Sequence, residues 1–350
     1  MSESVPVETF AVVEALLGTM ERDTAVLAVT PVRVGGNNRT YRVETGTGWY
    51  LAKEYFSHPG DTRDRLGTEF GFSKFAHEFA NGSVPRPFAC DEKARIAIYE
   101  YVDGQHLGPS DIGEPEVDQA IMFFKELNTP LARRAAIKLP LASEAVFSLA
   151  GHLQLVRRRI ELLDAVAGEE DVDRDAVALI AEMTARWNGF AARAERYIHD
   201  AGYDPLEDLP EGERCISPSD FGFHNALRRP DGRICFLDFE YAGWDDPSRM
   251  ICDFFCQPEV PVHRAYLTRF VNGCLHELPG RGRLRDRVSL LQVLYMFKWC
   301  CIALAVFLPV SMARRKFANP DIDCLASKRV QLGKARKIFH SIEEPLHGIH

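Results

Sequence analysis

The sequence lacks the features that mark secreted, zinc-stabilised or nucleic-acid-binding proteins. Its nine cysteines are scattered through apolar segments without a C-x-x-C pair, so we expect neither a zinc site nor a disulfide framework. The net charge of −8 has the wrong sign for general nucleic-acid binding. Residues 1–17 contain no basic segment followed by an apolar run, so we expect no secretory signal. Reduced, buried thiols in a cytoplasmic protein are the simplest expectation.

Internal repeats, low-complexity segments and an uninterrupted membrane-spanning run are also missing. The longest apolar run, residues 288–312, contains Gln292 and Lys298 and meets Pro309 near its end. Because an ionisable side chain near the middle of a membrane span is costly, we expect no membrane span here but a buried helix of a large helical lobe. At 350 residues the chain is long enough for two lobes.

Residues 216–247 carry polar side chains at a spacing that suits phosphoryl transfer. Asp220 lies in a predicted loop, and Asn225 follows five residues later at the start of a short apolar strand. A Pro-Asp-Gly turn comes next, and residues 233–239 form the predicted returning strand, which carries Asp238. Such a hairpin would bring the two carboxylates and the amide together. Turn chemistry by itself is an alternative explanation for these Asp and Asn residues.

The same stretch resembles the catalytic segment of the aminoglycoside phosphotransferase and choline kinase family, which has a protein-kinase-like fold. The shared pattern is a D-x-x-x-x-N loop, an apolar D-F-E, a D-P turn and a further Asp, which stand here at Asp220 to Asn225, 238–240, 246–247 and Asp253. The resemblance implies that Asp220 is the catalytic base and that Asn225 and Asp238 bind Mg²⁺. The family usually has His two residues before the catalytic Asp, and this chain has Pro218 there.

The N-terminal part predicts a helix over residues 7–20 and then three strands joined by glycine-rich turns. The first turn contains Gly35, Gly36 and Asn38. A strand–turn–strand of this kind can lay its backbone N–H groups against phosphates, although a plain hairpin turn explains the same residues. The resemblance assigns these three residues to nucleotide binding.

Further nucleotide-binding residues follow from the resemblance. Lys53, in the third predicted strand, would bind the α- and β-phosphates of ATP. Glu69, on a helix predicted from Asp64 to Ala80, would pair with it, and Glu78 on the same helix is the alternative partner. The sequence EYVDG at residues 100–104 resembles the junction between the lobes, where backbone groups from Glu100 to Val102 would hydrogen-bond adenine.

After residue 104 the apolar positions recur at helical spacing through most of the chain. Helices are predicted at 117–128, 145–163, 174–201, 261–277, 284–308 and 322–344. We therefore predict an α+β fold with two lobes. A nucleotide-binding N-lobe, 1–102, is built on a small antiparallel sheet, and a larger, mainly helical C-lobe, 103–350, holds the catalytic loop and the substrate-binding helices.

The function predicted from these features is ATP- and Mg²⁺-dependent phosphorylation of a hydroxyl on a small molecule, such as an aminoglycoside, an amino-alcohol or a sugar. The alternative is a non-catalytic nucleotide-binding or scaffolding protein with the same fold. Four aromatic residues could form a cage for a cationic substrate, although each is more simply a core residue: Tyr241, Trp244, Phe255 and Trp299. The acidic loop over residues 200–213 is either solvated or a rim that attracts cations.

Overall fold

The N-terminal part of the chain folds into a five-stranded antiparallel sheet. The computed structural model describes residues 5–20, 25–32, 36–168 and 170–342. The strands β1 (Val26–Val32), β2 (Arg39–Thr45), β3 (Gly48–Glu54), β4 (Pro87–Asp91) and β5 (Ile96–Glu100) have the order β1-β2-β3-β5-β4, and the helices are α1 (Val7–Gly18) and α2 (Arg65–Phe79). The three predicted strands are therefore present, within a few residues of their predicted bounds.

The alternation of side chains along β3 decides which residues face each helix. Ala52 points to the face that packs on α1, together with Val43 and Ile98. Leu51 points to the opposite face, which packs on α2. Because successive side chains alternate across a strand, Lys53 lies on the same face as Leu51 and is directed towards α2.

The rest of the chain is mainly helical. Its helices are α3 (Glu114–Leu127), α4 (Pro130–Ala135), α5 (Leu149–Leu162), α6 (Asp171–Asp200), α7 (Pro247–Cys256), α8 (Leu267–Leu275), α9 (Arg281–Leu304), α10 (Pro309–Ala318) and α11 (Cys324–His340). Its short strands are β6 (Gln105–His106), β7 (Cys215–Ser217), β8 (Ala226–Arg228), β9 (Ile234–Phe236) and β10 (Gly243–Asp245). The predicted α+β class is confirmed, whereas the short helices α4, α7 and α10 were not predicted.

Helix α9 forms the centre of the large lobe. Arg281–Phe307 is the one segment of the described chain long and apolar enough to cross a membrane, and 78% of its most apolar window is buried inside the structure. Lys298, in the middle of this helix, donates to both carboxylate oxygens of Asp253 on α7. The predicted buried helix is therefore present. It ends at Leu304, and Pro309 opens the next helix instead of lying within the same run.

The hairpin of β8 and β9 carries the predicted catalytic stretch. Leu227 pairs with Cys235 across it. The returning strand was predicted to reach residue 239, but it ends at Phe236. Asp238 adopts a left-handed backbone conformation with φ of 64°, which an extended strand does not accommodate and which Asp tolerates better than most residues. This conformation turns the chain directly after the strand and presents the Asp238 side chain beside the sheet of the small lobe.

Candidate active site

A cavity lies between the five-stranded sheet and the hairpin of the large lobe. Its volume is about 260 Å³. Residues of both lobes line it, among them Gly36, Lys53, Glu100, Val102, Asn225 and Asp238. Asn38 and Glu69 line it as well, so eight of the residues predicted from sequence to bind nucleotide or metal line one cleft, although up to about two hundred positions of chain separate them.

Lys53 joins three elements at the inner end of this cleft. Its Nζ lies 2.7 Å from Glu69 Oε2 on α2 and 2.6 Å from Asp238 Oδ1 after β9. Glu69, and not the alternative Glu78, is the helix residue in contact. Burial opposes the positive charge, but Asp238 and Glu69 together raise the pKa of Lys53 well above its usual value. The lysine is therefore held charged and pointed at the cleft.

Asp220 has a hydrogen-bond donor at each of its carboxylate oxygens. The Nε2 atom of His224 lies 3.2 Å from Oδ1, and the Nδ2 atom of Asn225 lies 3.2 Å from Oδ2 and 3.0 Å from the Asp220 carbonyl oxygen. Burial would raise the pKa of Asp220, but the charge and hydrogen bond of His224 and the hydrogen bond of Asn225 lower it below its usual value. The carboxylate is therefore kept ionised, in the form that can accept a proton.

The loop before Asp220 is ordered without a histidine at position 218. The Ser219 amide donates to Ser217 Oγ at 2.9 Å, and Asn128 on α3 bonds to both the carbonyl and the amide of Ile216. Ser219 has a left-handed φ of 67°. Backbone bonds upstream and His224 downstream thus position Asp220, so Pro218 does not leave the loop unsupported.

Two phenylalanines anchor the same loop. Phe221 and Phe223 are fully buried and pack against Phe236 of β9 and Phe254 of α7. Asn225 lines the cleft, whereas Asp220 lies beside the lining and is hydrogen-bonded to Asn225. The core of the large lobe therefore sets the position of the catalytic loop.

The glycine turn contacts the large lobe through its asparagines. Gly35 lies outside the described residues, and Gly36 lines the cavity. Asn38 Nδ2 donates to Glu240 Oε2 at 2.7 Å, and its Oδ1 accepts from the Phe56 amide at 3.1 Å. Both polar atoms of the Asn38 side chain are thus engaged within the protein, which leaves only its backbone for the predicted contact with nucleotide.

Glu240 is the large-lobe partner in this contact. Its Oε1 accepts from Asn37 Nδ2 at 2.9 Å and from Arg65 Nη1 at 2.5 Å. Arg65 also donates to the Tyr241 hydroxyl at 2.7 Å. The side chains of Arg65 and Glu240 are almost completely buried, so this pair links the small lobe to the hairpin segment next to Asp238.

The opposite end of the cleft contains the segment predicted to bind adenine. The Glu100 amide donates to the Arg86 carbonyl at 2.8 Å, and the Glu100 side chain accepts from Arg229 at 3.0 Å. Within the described ranges the Val102 amide has no backbone acceptor. The Val102 N–H is therefore the available donor at this end, whereas the Glu100 N–H is already used.

The oxygen atoms near Lys53 suit a hard divalent cation. Carboxylate oxygens of Glu69, Asp238 and Glu240 lie within 4.8 Å of one another, but Lys53 holds Glu69, and Arg65 and the asparagines hold Glu240. Asp238 Oδ2 has no donor in the described part of the chain, and Asn225 donates through its nitrogen, which leaves its amide oxygen available. Oxygen donors are the ligands Mg²⁺ prefers, so Asn225 and Asp238 fit the predicted metal site.

The four aromatic residues considered for a cation cage have other contacts. Trp244 Nε1 donates to the Ala136 carbonyl, and the Trp299 Nε1 donates to Asp253. The Tyr241 ring faces the guanidinium groups of Arg63 and Arg65, and Phe255 packs on Phe254 and Phe270. Each side chain is accounted for by packing or hydrogen bonding within the protein, which favours the core interpretation for all four.

Two residues of the site were not predicted from sequence, namely His224 and Glu240. His224 stands four positions after Asp220 and directly before Asn225, so its place in the loop was the available signal. Glu240 is the last residue of the D-F-E motif, but its partners on α2 and the glycine turn are more than 170 positions away. Only the fold reveals those contacts.

The chain was compared with families and structures of known proteins. The model of a family described as the phosphotransferase enzyme family matches residues 28–285. Choline kinase from Cryptosporidium parvum Iowa II has a TM-score of 0.60 and 14% identity, covering 96% of this chain and 97% of that chain. Choline kinase LicA from Streptococcus pneumoniae has a TM-score of 0.56 and 16% identity, covering 95% and 99%. Spectinomycin phosphotransferase APH(9)-Ia, in complex with ADP and spectinomycin, has a TM-score of 0.58 and 11% identity, covering 94% and 98%. No curated protein matches the chain.

These likenesses agree with the two-lobed architecture. The fold is protein-kinase-like, with an antiparallel sheet followed by a mainly helical region. The matching family is one of phosphotransferase enzymes. Because the family model matches well over half of its length, the chain belongs to the phosphotransferase enzyme family.

Proposed function

We propose that this protein transfers the γ-phosphoryl group of ATP to a hydroxyl group of a small molecule. The observation that carries the proposal is the position of Lys53, Asn225 and Asp238 along one cleft, with Asp220 hydrogen-bonded to Asn225 at its edge. The cleft has an unused backbone donor at Val102, where an adenine edge would bind. The complexes of spectinomycin phosphotransferase APH(9)-Ia with ADP and of LicA with AMP support this use of the cleft.

Each residue has a part in positioning the reactants. Lys53, held by Glu69, would bind the α- and β-phosphates, and Asn225 and Asp238 would hold Mg²⁺, which supplies charge neutralisation at the phosphates when bound. The acceptor oxygen forms a bond to the γ-phosphorus, the bond between that phosphorus and the β–γ bridging oxygen breaks, and ADP leaves. The hydroxyl proton passes to the carboxylate of Asp220.

The surroundings of Asp220 favour this role. His224 and Asn225 fix both carboxylate oxygens, so the side chain loses little further freedom when the acceptor binds. The burial of His224 opposes its charge, but Asp220 raises the pKa of His224 above its usual value. These contacts keep the carboxylate oriented for the proton transfer.

The proposal is tested by measuring ADP release with a panel of hydroxylated acceptors, together with thermal unfolding in ATP and Mg²⁺. A ligand that binds only the folded state raises the apparent melting temperature. We expect nucleotide to stabilise the protein and one class of acceptor to accelerate ADP release. Stabilisation by nucleotide without any acceptor-dependent turnover would favour the non-catalytic alternative, and no stabilisation would contradict both.

A further inference from the structure

Helix α10 belongs to the large lobe in sequence but reaches the small lobe in space. Arg39 on β2 donates through Nε to the Phe317 carbonyl at 2.8 Å, and its guanidinium group lies 4.4 Å from the centre of the Phe317 ring. Phe56, just after β3, packs against the same ring at 5.5 Å. The helix therefore bridges the lobes beside the glycine turn, at the end of the cleft where the phosphates of ATP would lie.

Two consecutive arginines of α10 are directed at this end of the cleft. Arg315 Nη1 lies 3.7 Å from the position that a Cβ atom on Gly36 would occupy. The charge of Arg314 acts on the hydroxyl of Tyr241, next to the D-F-E segment. The negative charge of Glu259 acts on the guanidinium group of Arg315. The same charge acts on His224, which lies beside Asp220. Arg315 thus lies at the glycine turn, and Arg314, its neighbour on the helix, lies near Tyr241.

Neither guanidinium group is neutralised within the described ranges. No carboxylate or carbonyl accepts a hydrogen bond from Arg314 or Arg315 there, and the Nε atom of Arg314 is buried without a partner. Burial and the adjacent charge of Arg314 lower the pKa of Arg315 below its usual value. Both arginines are partly buried, and a charge that loses water without gaining a partner is unfavourable, so two neighbouring ones indicate a site that an anion completes.

The carboxylates around the acceptor side are, by contrast, already paired. Lys334 holds Glu259, Lys298 holds Asp253 at 2.8 Å, and Arg159 holds Glu144. In the acidic loop considered as a cation-attracting rim, Glu213 is bonded to Arg283 at 2.6 Å. Each of these four carboxylates therefore has its own cation, and none of them forms an ion pair with Arg314 or Arg315 in the part of the chain that the structure describes.

The phosphates of ATP already have their own counter-charges in Lys53 and the oxygen ligands at Asn225 and Asp238. Resting on the function proposed above, we propose that Arg314 and Arg315 bind an anionic group of the acceptor, so that the substrate is a hydroxylated carboxylate or phosphate ester. The planar guanidinium fork matches both oxyanions through two parallel hydrogen bonds. The enzyme would then differ in acceptor class from relatives whose names specify choline or spectinomycin.

The test uses a set of acceptors that differ in charge on one scaffold: glucose, glucosamine, glucuronate and glucose 6-phosphate, with choline added. ADP release is measured for the parent, for Arg314→Gln and Arg315→Gln, and for Lys316→Gln, an exposed cation on the same helix, as the matched control. Binding of glucuronate and of glucose 6-phosphate to the protein saturated with ADP and Mg²⁺ is measured in parallel by thermal unfolding. The two anions distinguish a carboxylate from a phosphate site.

We expect the parent to prefer an anionic acceptor and either arginine substitution to weaken its binding by about 10- to 100-fold, the scale of a lost charge-assisted hydrogen bond. ADP affinity and the Lys316→Gln protein should stay close to the parent. The parent protein could bind an anion, lose that binding in both arginine variants, and yet show no turnover. That result would support the anion site and refute the kinase function. The inference would be overturned if the parent turned over glucosamine or choline in preference to the anions. It would also be overturned if all the proteins bound the anions equally, or if weaker ATP binding were the sole effect of the arginine substitutions.

Discussion

Replacing Asp220 with asparagine removes one negative charge from the catalytic loop and almost nothing else. The side chain keeps its shape, and one oxygen remains to accept a hydrogen bond from Asn225 Nδ2. In the parent protein this nitrogen lies 3.2 Å from Asp220 Oδ2. The new amide group faces His224, which can adapt because a neutral imidazole offers one nitrogen as an acceptor. The carboxylate is partly exposed and its two side-chain bonds are long, so we expect a loss of about 1 kcal/mol or less in the free energy of unfolding.

The effect on the reaction should be far larger than the effect on stability. Without a carboxylate the acceptor hydroxyl has no positioned base, and transfer should fall by roughly 10²–10⁴-fold, the usual contribution of such a group. ATP binding should be close to the parent value, because Lys53, Asp238 and the Val102 amide are unchanged. The two expectations together separate a catalytic role from a binding role.

The assay combines nucleotide titration by thermal unfolding with ADP release in the presence of the best acceptor. Asp231→Asn is the matched control, since Asp231 is an exposed carboxylate in the turn of the same hairpin and pairs only with nearby Arg233. Parent-like turnover by Asp220→Asn would refute the assignment of the base. A loss of ATP binding equal to the loss of turnover would instead show that Asp220 acts in nucleotide binding.

Further predictions concern the metal site, the lysine and the pH dependence of stability. Asp238→Asn should abolish Mg²⁺-dependent ADP release in a folded protein, since it removes a ligand charge; normal turnover across a Mg²⁺ titration would contradict this. Lys53→Ala should weaken ATP binding by about 10-fold or more, as measured by titration. The substitution should also leave Glu69 as an unpaired buried carboxylate. Loss of folding stability with unchanged ATP affinity would favour a structural role for Lys53. His152 is buried between Tyr295 and Asp246, and burial lowers its pKa. The unfolded chain therefore binds its proton first, so stability should fall as the pH drops through about 6.5. Chemical denaturation of His152→Gln should show a shallower fall between about pH 7.5 and about pH 5.5, and an unchanged slope would exclude His152 as the cause.

Several parts of the site could be predicted because they depend on local pattern. The apolar alternation of residues 48–54 predicts a strand, and the same alternation directs Lys53 to the face opposite Ala52. Helical spacing predicts α2 and places Glu69 on its first half. The D-x-x-x-x-N spacing and the turn after it predict a hairpin that brings Asp220, Asn225 and the following strand together.

The boundary of that strand shows the limit of such reasoning. Residues 237–239 continue the apolar pattern, yet the strand ends at Phe236 because Asp238 takes a left-handed conformation. The backbone conformation of a single residue depends on the contacts of its side chain. The side chain of Asp238 contacts Lys53 of the other lobe. The predicted division of the chain at residues 102 and 103 stays a prediction of the same kind.

The sequence by itself determined the type of each long element and the identity of the polar residues at the cleft, because hydrophobic period and turn chemistry act over a few neighbouring positions. The tertiary structure alone decided their partners. It joined Glu240 to Arg65 and Asn38, set His224 against Asp220, and brought Arg315 of α10 to the glycine turn. These contacts join residues up to nearly 300 positions apart, and their geometry depends on how the two cores pack, which no local pattern encodes.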